Sequence, residues 1–254
     1  TYLREFLRQY MTAKRPVRSD YPSWSRVQFV IDSIAWDTDP LYGWCNKNFK
    51  KDGTPYNVYA DGLRVFTTID SRMQKYAEEA VYKHVAGYLQ PAFDRENKPK
   101  PSAPFSDKLT PNQIRSILNR SIIQSERYRT MKAAGYSPEE IHDAFRKKVE
   151  MTVFTYHGDI DTLMSPLDSI RYYKGFLRSG FMSMDPKTGA VKAYVGGLDY
   201  THFMYDMVSL GRRQVGSTIK PFLYSLAMEN GFTPCDMAPN RQQTYIVAGR
   251  RWTP

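Results

Sequence analysis

Hydrophobic and polar positions follow two periods along this chain, and the switches between them mark its elements. In "YLREFLRQYM", Leu3, Phe6, Leu7 and Tyr10 recur at helical spacing on one face, which predicts a short amphipathic helix. Residues 16–61 have no clean period and are rich in Trp, Tyr, Asp, Asn and Pro. Their most apolar part, "SRVQFVIDSIAW", suits a helix or a strand. Over 63–69, in "GLRVFTTID", alternation behind the turn pair Asp61-Gly62 predicts a strand. Helical spacing returns in "SRMQKYAEEAVYKHVAGYLQ", where Met73, Tyr76, Ala77, Ala80, Val81, Val85 and Leu89 form a stripe behind the N-cap candidates Asp70 and Ser71.

The Pro-rich stretch "NKPKPSAPF" at 97–105 breaks the pattern and reads as a loop. Two helical segments follow within about 110–149. Thr110-Pro111 opens the first, Gly135 stops it, and Ser137-Pro138-Glu139-Glu140 opens the second with Ser at the cap and Glu three residues later. Together, residues 97–150 read as a helical insertion with a charged outer face. "MTVFTY" then reads as a strand and "SPLDSIRYYKGFLRSG" as a helix begun by Ser165-Pro166. "FMSMDPKTGAVKAYVGG" reads as a β-hairpin turned by Asp185, Pro186 and Gly189. The pattern is α+β, with helices beside an antiparallel sheet.

Composition narrows the chemistry. At 254 residues and 41% apolar, the chain can bury a core. Its net charge of +10, from 36 basic against 26 acidic residues, is scattered and contains no long basic run. That suits an anionic surrounding, but none of the motifs of nucleic-acid readers is present, so no nucleic-acid partner is expected. Cys45 and Cys235 form no Cys-x-x-Cys and are either a disulfide or two free thiols. His84, His142, His157 and His202 never fall at ligand spacing, so neither a metal nor a cofactor is expected. No apolar run approaches the roughly 20 residues of a membrane-spanning helix. The chain opens without an initiator Met and stops at "RRWTP", and both ends read as cut from a longer protein.

One stretch carries candidate chemistry, "GRRQVGSTIKPFLYSLAMENG" at 211–231, with Ser217 three positions before Lys220. A bare Ser-x-x-Lys is a weak signal, and two polar residues stacked by a helix would give the same pattern. Pro221 has no N–H, and its ring clashes with the carbonyl four residues back, so Ser217 belongs at a helix entrance. Ile219, Phe222, Leu223, Leu226 and Ala227 gather on one face, which is expected to be buried. Ser217, Lys220 and Tyr224 run along its flank, and Gly231 ends the helix. A serine hydroxyl needs a base, and a lysine kept neutral can be one. A helix N-terminus favours developing negative charge, and Gly216 lets the chain turn tightly into it.

Three segments in order, "GLRVFTTIDSRMQKYAEEAV", "SMDPKTGAVKAYVGG" and "RQVGSTIKPFLYSLAMENGFTP", resemble the transpeptidase domain of class A penicillin-binding proteins. The resemblance spans about 62–254. It implies the N-terminal part of a penicillin-binding-protein/β-lactamase-like fold for that span, and a connector after a missing glycosyltransferase domain for residues 1–61. It further implies that Ser217 is the acylated nucleophile and Lys220 its base. The substrates would be peptidoglycan stem peptides on glycan strands derived from lipid II, with β-lactams as covalent inhibitors. The parent protein would be anchored in the inner membrane and work on its periplasmic side. The family also needs a Ser-x-Asn motif and a Lys-Thr/Ser-Gly strand after the serine, and neither follows Ser217 here. Lys187-Thr188-Gly189 precedes it, and the hairpin turn accounts for those residues. A Trp-x-Pro-x-Asn-like stretch of the family reads as cut at Trp252-Thr253-Pro254. Rival readings are a D,D-carboxypeptidase or β-lactamase-like hydrolase, and a non-catalytic β-lactam sensor or envelope scaffold.

Overall fold

The fold comes from a computed structural model that describes residues 1–237 and 240–253 and forms two compact units, Thr1–Gly211 and Arg212–Pro254. In the first unit, helix α1 (Tyr2–Met11) is capped by the Thr1 hydroxyl, which accepts from the Arg4 N–H. Its Tyr2 side chain is buried, and the phenol donates to the carbonyls of Asp199 (2.9 Å) and Phe203 (2.6 Å). Burial pushes that phenol up to about 12.

Residues 16–61, read as irregular, are helical over half their length, two short 3-10 turns included, and "SRVQFVIDSIAW" resolves into helix α2 (Arg26–Thr38). Helix α3 (Trp44–Lys47) is one turn long. Lys47 spreads its ammonium over the Trp36 ring and donates to the Trp36 and Asp39 carbonyls. Asn46 donates to the Thr12 and Ala13 carbonyls, so this segment is tied back to the end of α1. Cys45 is buried here, and it and Cys235 are both free thiols.

Residues 63–69 do not form the strand that their alternation predicts. The reason lies on strand β4, described below, whose outer edge is already occupied. The Asp70 N–H donates to the Lys192 carbonyl, and the Gln74 side-chain amide both donates to the Tyr194 carbonyl and accepts its N–H. The Val191 carbonyl accepts the Thr68 hydroxyl at 2.7 Å. These bonds compete for the β4 edge, the segment runs past the sheet, and Phe66 stays 90% exposed.

Helix α4 (Ser71–His84) starts at Asp70, whose carboxylate accepts the Arg72 and Met73 N–H groups. These bonds hold the carboxyl below its usual range. Of the predicted stripe, Ala77 and Val85 are buried and Val81 packs with Ala77, while Met73, Tyr76, Ala80 and Leu89 remain exposed. After one wide turn at Val85–Leu89 the helical path continues as α5 (Gln90–Asn97). The Pro-rich loop follows as predicted.

Next come α6 (Pro111–Gln124), α7 (Glu126–Ala133) and α8 (Pro138–Arg146). The first predicted segment is thus split at Ser125, whose extended backbone ends one helix while its hydroxyl caps the next. Capping boxes form at Thr110/Gln113 and Ser137/Glu140, and Gly135 takes the positive φ that ends α7. Strand β1 (Val149–Val153) starts two residues before the run "MTVFTY" and ends at Val153, and it pairs antiparallel with β2 (Ile160–Met164), which its short polar-flanked run did not reveal. Helix α9 (Pro166–Lys174) is capped by Ser165 and packs against α6 and α8. Its Tyr172 and Tyr173 hydroxyls bond the carbonyl and N–H of Phe154, where β1 ends.

The expected hairpin is β3 (Phe181–Met184) with β4 (Val191–Val195). Asp185 accepts the Lys187 and Thr188 N–H groups, and Gly189 turns at φ 73°. This geometry uses Lys187-Thr188-Gly189 to close the turn. Ala193 and Val195 of β4 meet Ala77 of α4 in the core. The structure is therefore α+β, with small antiparallel sheets among helices.

The second unit contains a tight 3-10 turn (Gly216–Ile219), helix α10 (Lys220–Glu229) and a hairpin of β5 (Tyr245–Val247) with β6 (Arg250–Trp252). That hairpin was not expected. Its two-residue turn is Ala248-Gly249, both at positive φ, and Ala is not one of the residues that announce such a turn.

Candidate functional site

Ser217 and Lys220 lie where the second unit changes from a 3-10 turn to an α-helix. Pro221 explains the change. Lacking an N–H, it cannot bond the Ser217 carbonyl, and that carbonyl instead accepts the Lys220 N–H one residue earlier. In an ideal 3-10 turn positions three residues apart eclipse one another, which assigns Ser217 and Lys220 to one side of the chain at the entrance of α10. The stacking expected from the α-helical period is thus reached through a tighter turn.

Gly216 enters this turn at φ 52° with nothing within 4 Å of where a Cβ would sit. Its requirement is conformational and not steric. Gly216→Ala is expected to weaken the turn by about 1–2 kcal/mol, measured as roughly tenfold faster amide exchange at Thr218 and Lys220. Unchanged exchange at those amides would contradict this.

The far end of α10 closes as read from the sequence. Gly231 at φ 90° donates to the Met228 carbonyl, and the Phe232 N–H reaches back to the Ala227 carbonyl. The expected burial of the apolar face does not occur. Ile219, Phe222, Leu223 and Leu226 are 46%, 73%, 56% and 56% exposed, and only Ala227 is half-buried. The reason is the size of the unit. Among the described residues, the only elements of this unit besides α10 are the 3-10 turn and the short hairpin, whose own Tyr245, Ile246 and Trp252 are exposed, too little structure to enclose a helix face.

The Ser217 hydroxyl and the Lys220 ammonium are exposed, and neither bonds the other or any other described residue. Neighbouring hydroxyls are used locally, Thr218 on the Val215 carbonyl and Ser225 on the Pro221 carbonyl. Ser217 is thus the hydroxyl in the turn left available for reaction. Among the described residues, no group of three His, Cys, Asp or Glu is placed to hold a metal ion. His202 is paired with Asp159 at 3.0 Å.

Comparison with known families places this arrangement. Residues 100–177 match the model of the penicillin-binding protein middle domain, and 179–253 match that of the penicillin-binding protein transpeptidase domain, which spans Ser217 and Lys220. The chain belongs to the penicillin-binding proteins. The stretch read as a helical insertion falls largely within the middle-domain match. Curated relatives agree. Penicillin-binding protein 1A of Neisseria lactamica is 27% identical over 78% of this chain and 28% of its own length. Penicillin-binding protein 1A of Escherichia coli is 28% identical over 71% and 24%. Penicillin-binding protein 2D of Bacillus subtilis is 39% identical over 28% and 10%. The chain spans about a quarter of the length of the first two relatives. No solved structure matches it significantly.

Proposed function

We propose that this chain is part of a bifunctional peptidoglycan synthase and carries the reactive serine of its D,D-transpeptidase. In this reading residues 1–61 are a connector after a glycosyltransferase domain, and the middle-domain and transpeptidase-domain matches at 100–177 and 179–253 follow it. The observation that carries the reading is the Ser217-x-x-Lys220 pair at the turn into α10, inside the span that matches the transpeptidase family.

Ser217 Oγ attacks the carbonyl between the two terminal D-alanines of a stem peptide. Lys220 takes the hydroxyl proton and passes it to the departing D-alanine amine as the C–N bond breaks. The Ser217 N–H, at the helix entrance, donates to the developing oxyanion. An amine of a neighbouring strand then attacks the acyl ester and releases Ser217. A β-lactam reacts by the same attack, and its opened ring stays attached. The parent enzyme works on the periplasmic side of the inner membrane, anchored outside this chain. Among the described residues no helix is long and apolar enough to cross a membrane.

The test is to supply the purified full-length parent with lipid II and analyse the digested product. Cross-linked muropeptides and free D-alanine, both suppressed by penicillin, are expected. D-alanine release without cross-links would favour a carboxypeptidase. Neither product, from a protein that binds penicillin reversibly, would favour a sensor or scaffold.

A further inference from the structure

Helix α2 is folded inside out for a helix of a monomer. Its Phe29 and Trp36 sides face the protein, where Phe29 packs edge-on to Tyr21 at 5.4 Å and Trp36 carries Lys47. Val27, Val30, Ile31 and Ile34, at the spacing of one apolar stripe, face outward at 73%, 45%, 52% and 57% exposure. None of the helix's residues is buried.

The charges beside this stripe are arranged to match themselves. Arg26 and Asp37 are about three helical turns apart and therefore share one edge of the stripe. Both are exposed, and neither joins an ion pair with another described residue. The other edge carries Ala35 and Gln28, the latter bonded to Asp32.

We propose that α2 is a self-association surface that pairs antiparallel with α2 of a second copy of this chain. A two-fold axis passing between Val30 and Ile31 brings Val27 onto Ile34 of the second copy and Val30 onto its Ile31. The same axis keeps the charged edge on one side and sets Arg26 against Asp37 of the second copy, twice. An anionic lipid surface fits less well, because Asp37 on that edge would be pressed against like charge. One helix face is smaller than the roughly 800 Å² per partner of a standard interface, so the dimer is expected to form in proportion to concentration. This inference is independent of the reaction proposed above.

The test is sedimentation velocity of the full-length parent protein over a wide concentration range, with circular dichroism as the control for folding. A monomer–dimer equilibrium is expected, and Ile31→Glu, at an exposed position, should leave the spectrum unchanged and the chain monomeric. Arg26→Asp or Asp37→Arg alone should each weaken the dimer about tenfold, and the double reversal should restore it. A monomer at about 100 µM, a dimer indifferent to Ile31→Glu, or a double reversal that restores nothing would overturn the proposal. So would a monomeric chain that binds phosphatidylglycerol vesicles through the same stripe.

Discussion

Full-length parent protein carrying Ser217→Ala is expected to take up no covalent penicillin label under conditions that label the unaltered protein to completion. The proposed adduct is an ester to the Ser217 oxygen, and alanine has no atom to form it. The loss should come without unfolding. Ser217 is exposed and its hydroxyl holds nothing in place, so the change in stability should stay within about 0.5 kcal/mol. Lys220→Ala provides the graded comparison. It keeps the nucleophile and removes the base, so labelling should slow by about 10²–10⁴-fold and still reach completion. Label that persists at full rate in Ser217→Ala would remove Ser217 from the reaction, and equal rates for Lys220→Ala and the parent would remove Lys220.

The largest expected effect on stability is at Gly43. Its φ of 72° already penalises any side chain. A Cβ there would also lie 2.3 Å from the Trp36 ring and 2.8 Å from the Ala13 carbonyl oxygen. The ring can shift. The carbonyl cannot shift freely, because Ala13 O also accepts the Asn46 amide that ties the segment to α1. Gly43→Ala should therefore cost about 3 kcal/mol, the sum of backbone strain and overpacking. Gly53 and Gly62 also have positive φ but nothing within 4 Å of a Cβ, and their alanine variants should cost only about 1–2 kcal/mol. Urea unfolding of the three variants separates the two causes. Equal losses at all three positions would mean that the contacts around Gly43 contribute nothing.

Elements with a local signature were legible in the sequence. Thr110-Pro111, Ser137-Pro138 and Ser165-Pro166 each start a helix where their cap chemistry predicts, and Asp185 to Gly189 turn the hairpin. Features that depend on distant residues were not legible. The 63–69 alternation is a sound strand pattern, but Asp70 and Gln74 had already taken the edge it would have used. The apolar faces of α2 and α10 look alike in sequence to buried ones, because periodicity says which residues share a face and not what covers it. At the candidate site, Pro221 was enough to put Ser217 at a helix entrance. The 3-10 turn that eclipses it with Lys220 follows from where the Ser217 carbonyl finds its donor, which the sequence pattern does not specify.

The most direct measurement is mass spectrometry of the full-length parent after reaction with penicillin, on the intact protein and then on its peptides. Ring opening expels nothing, so the intact mass should rise by one whole penicillin. The added mass should map to the peptide containing Gly216-Ser217-Thr218. An adduct on any other residue, or an intact protein with no added mass, would contradict the assignment of Ser217 as the acylated nucleophile.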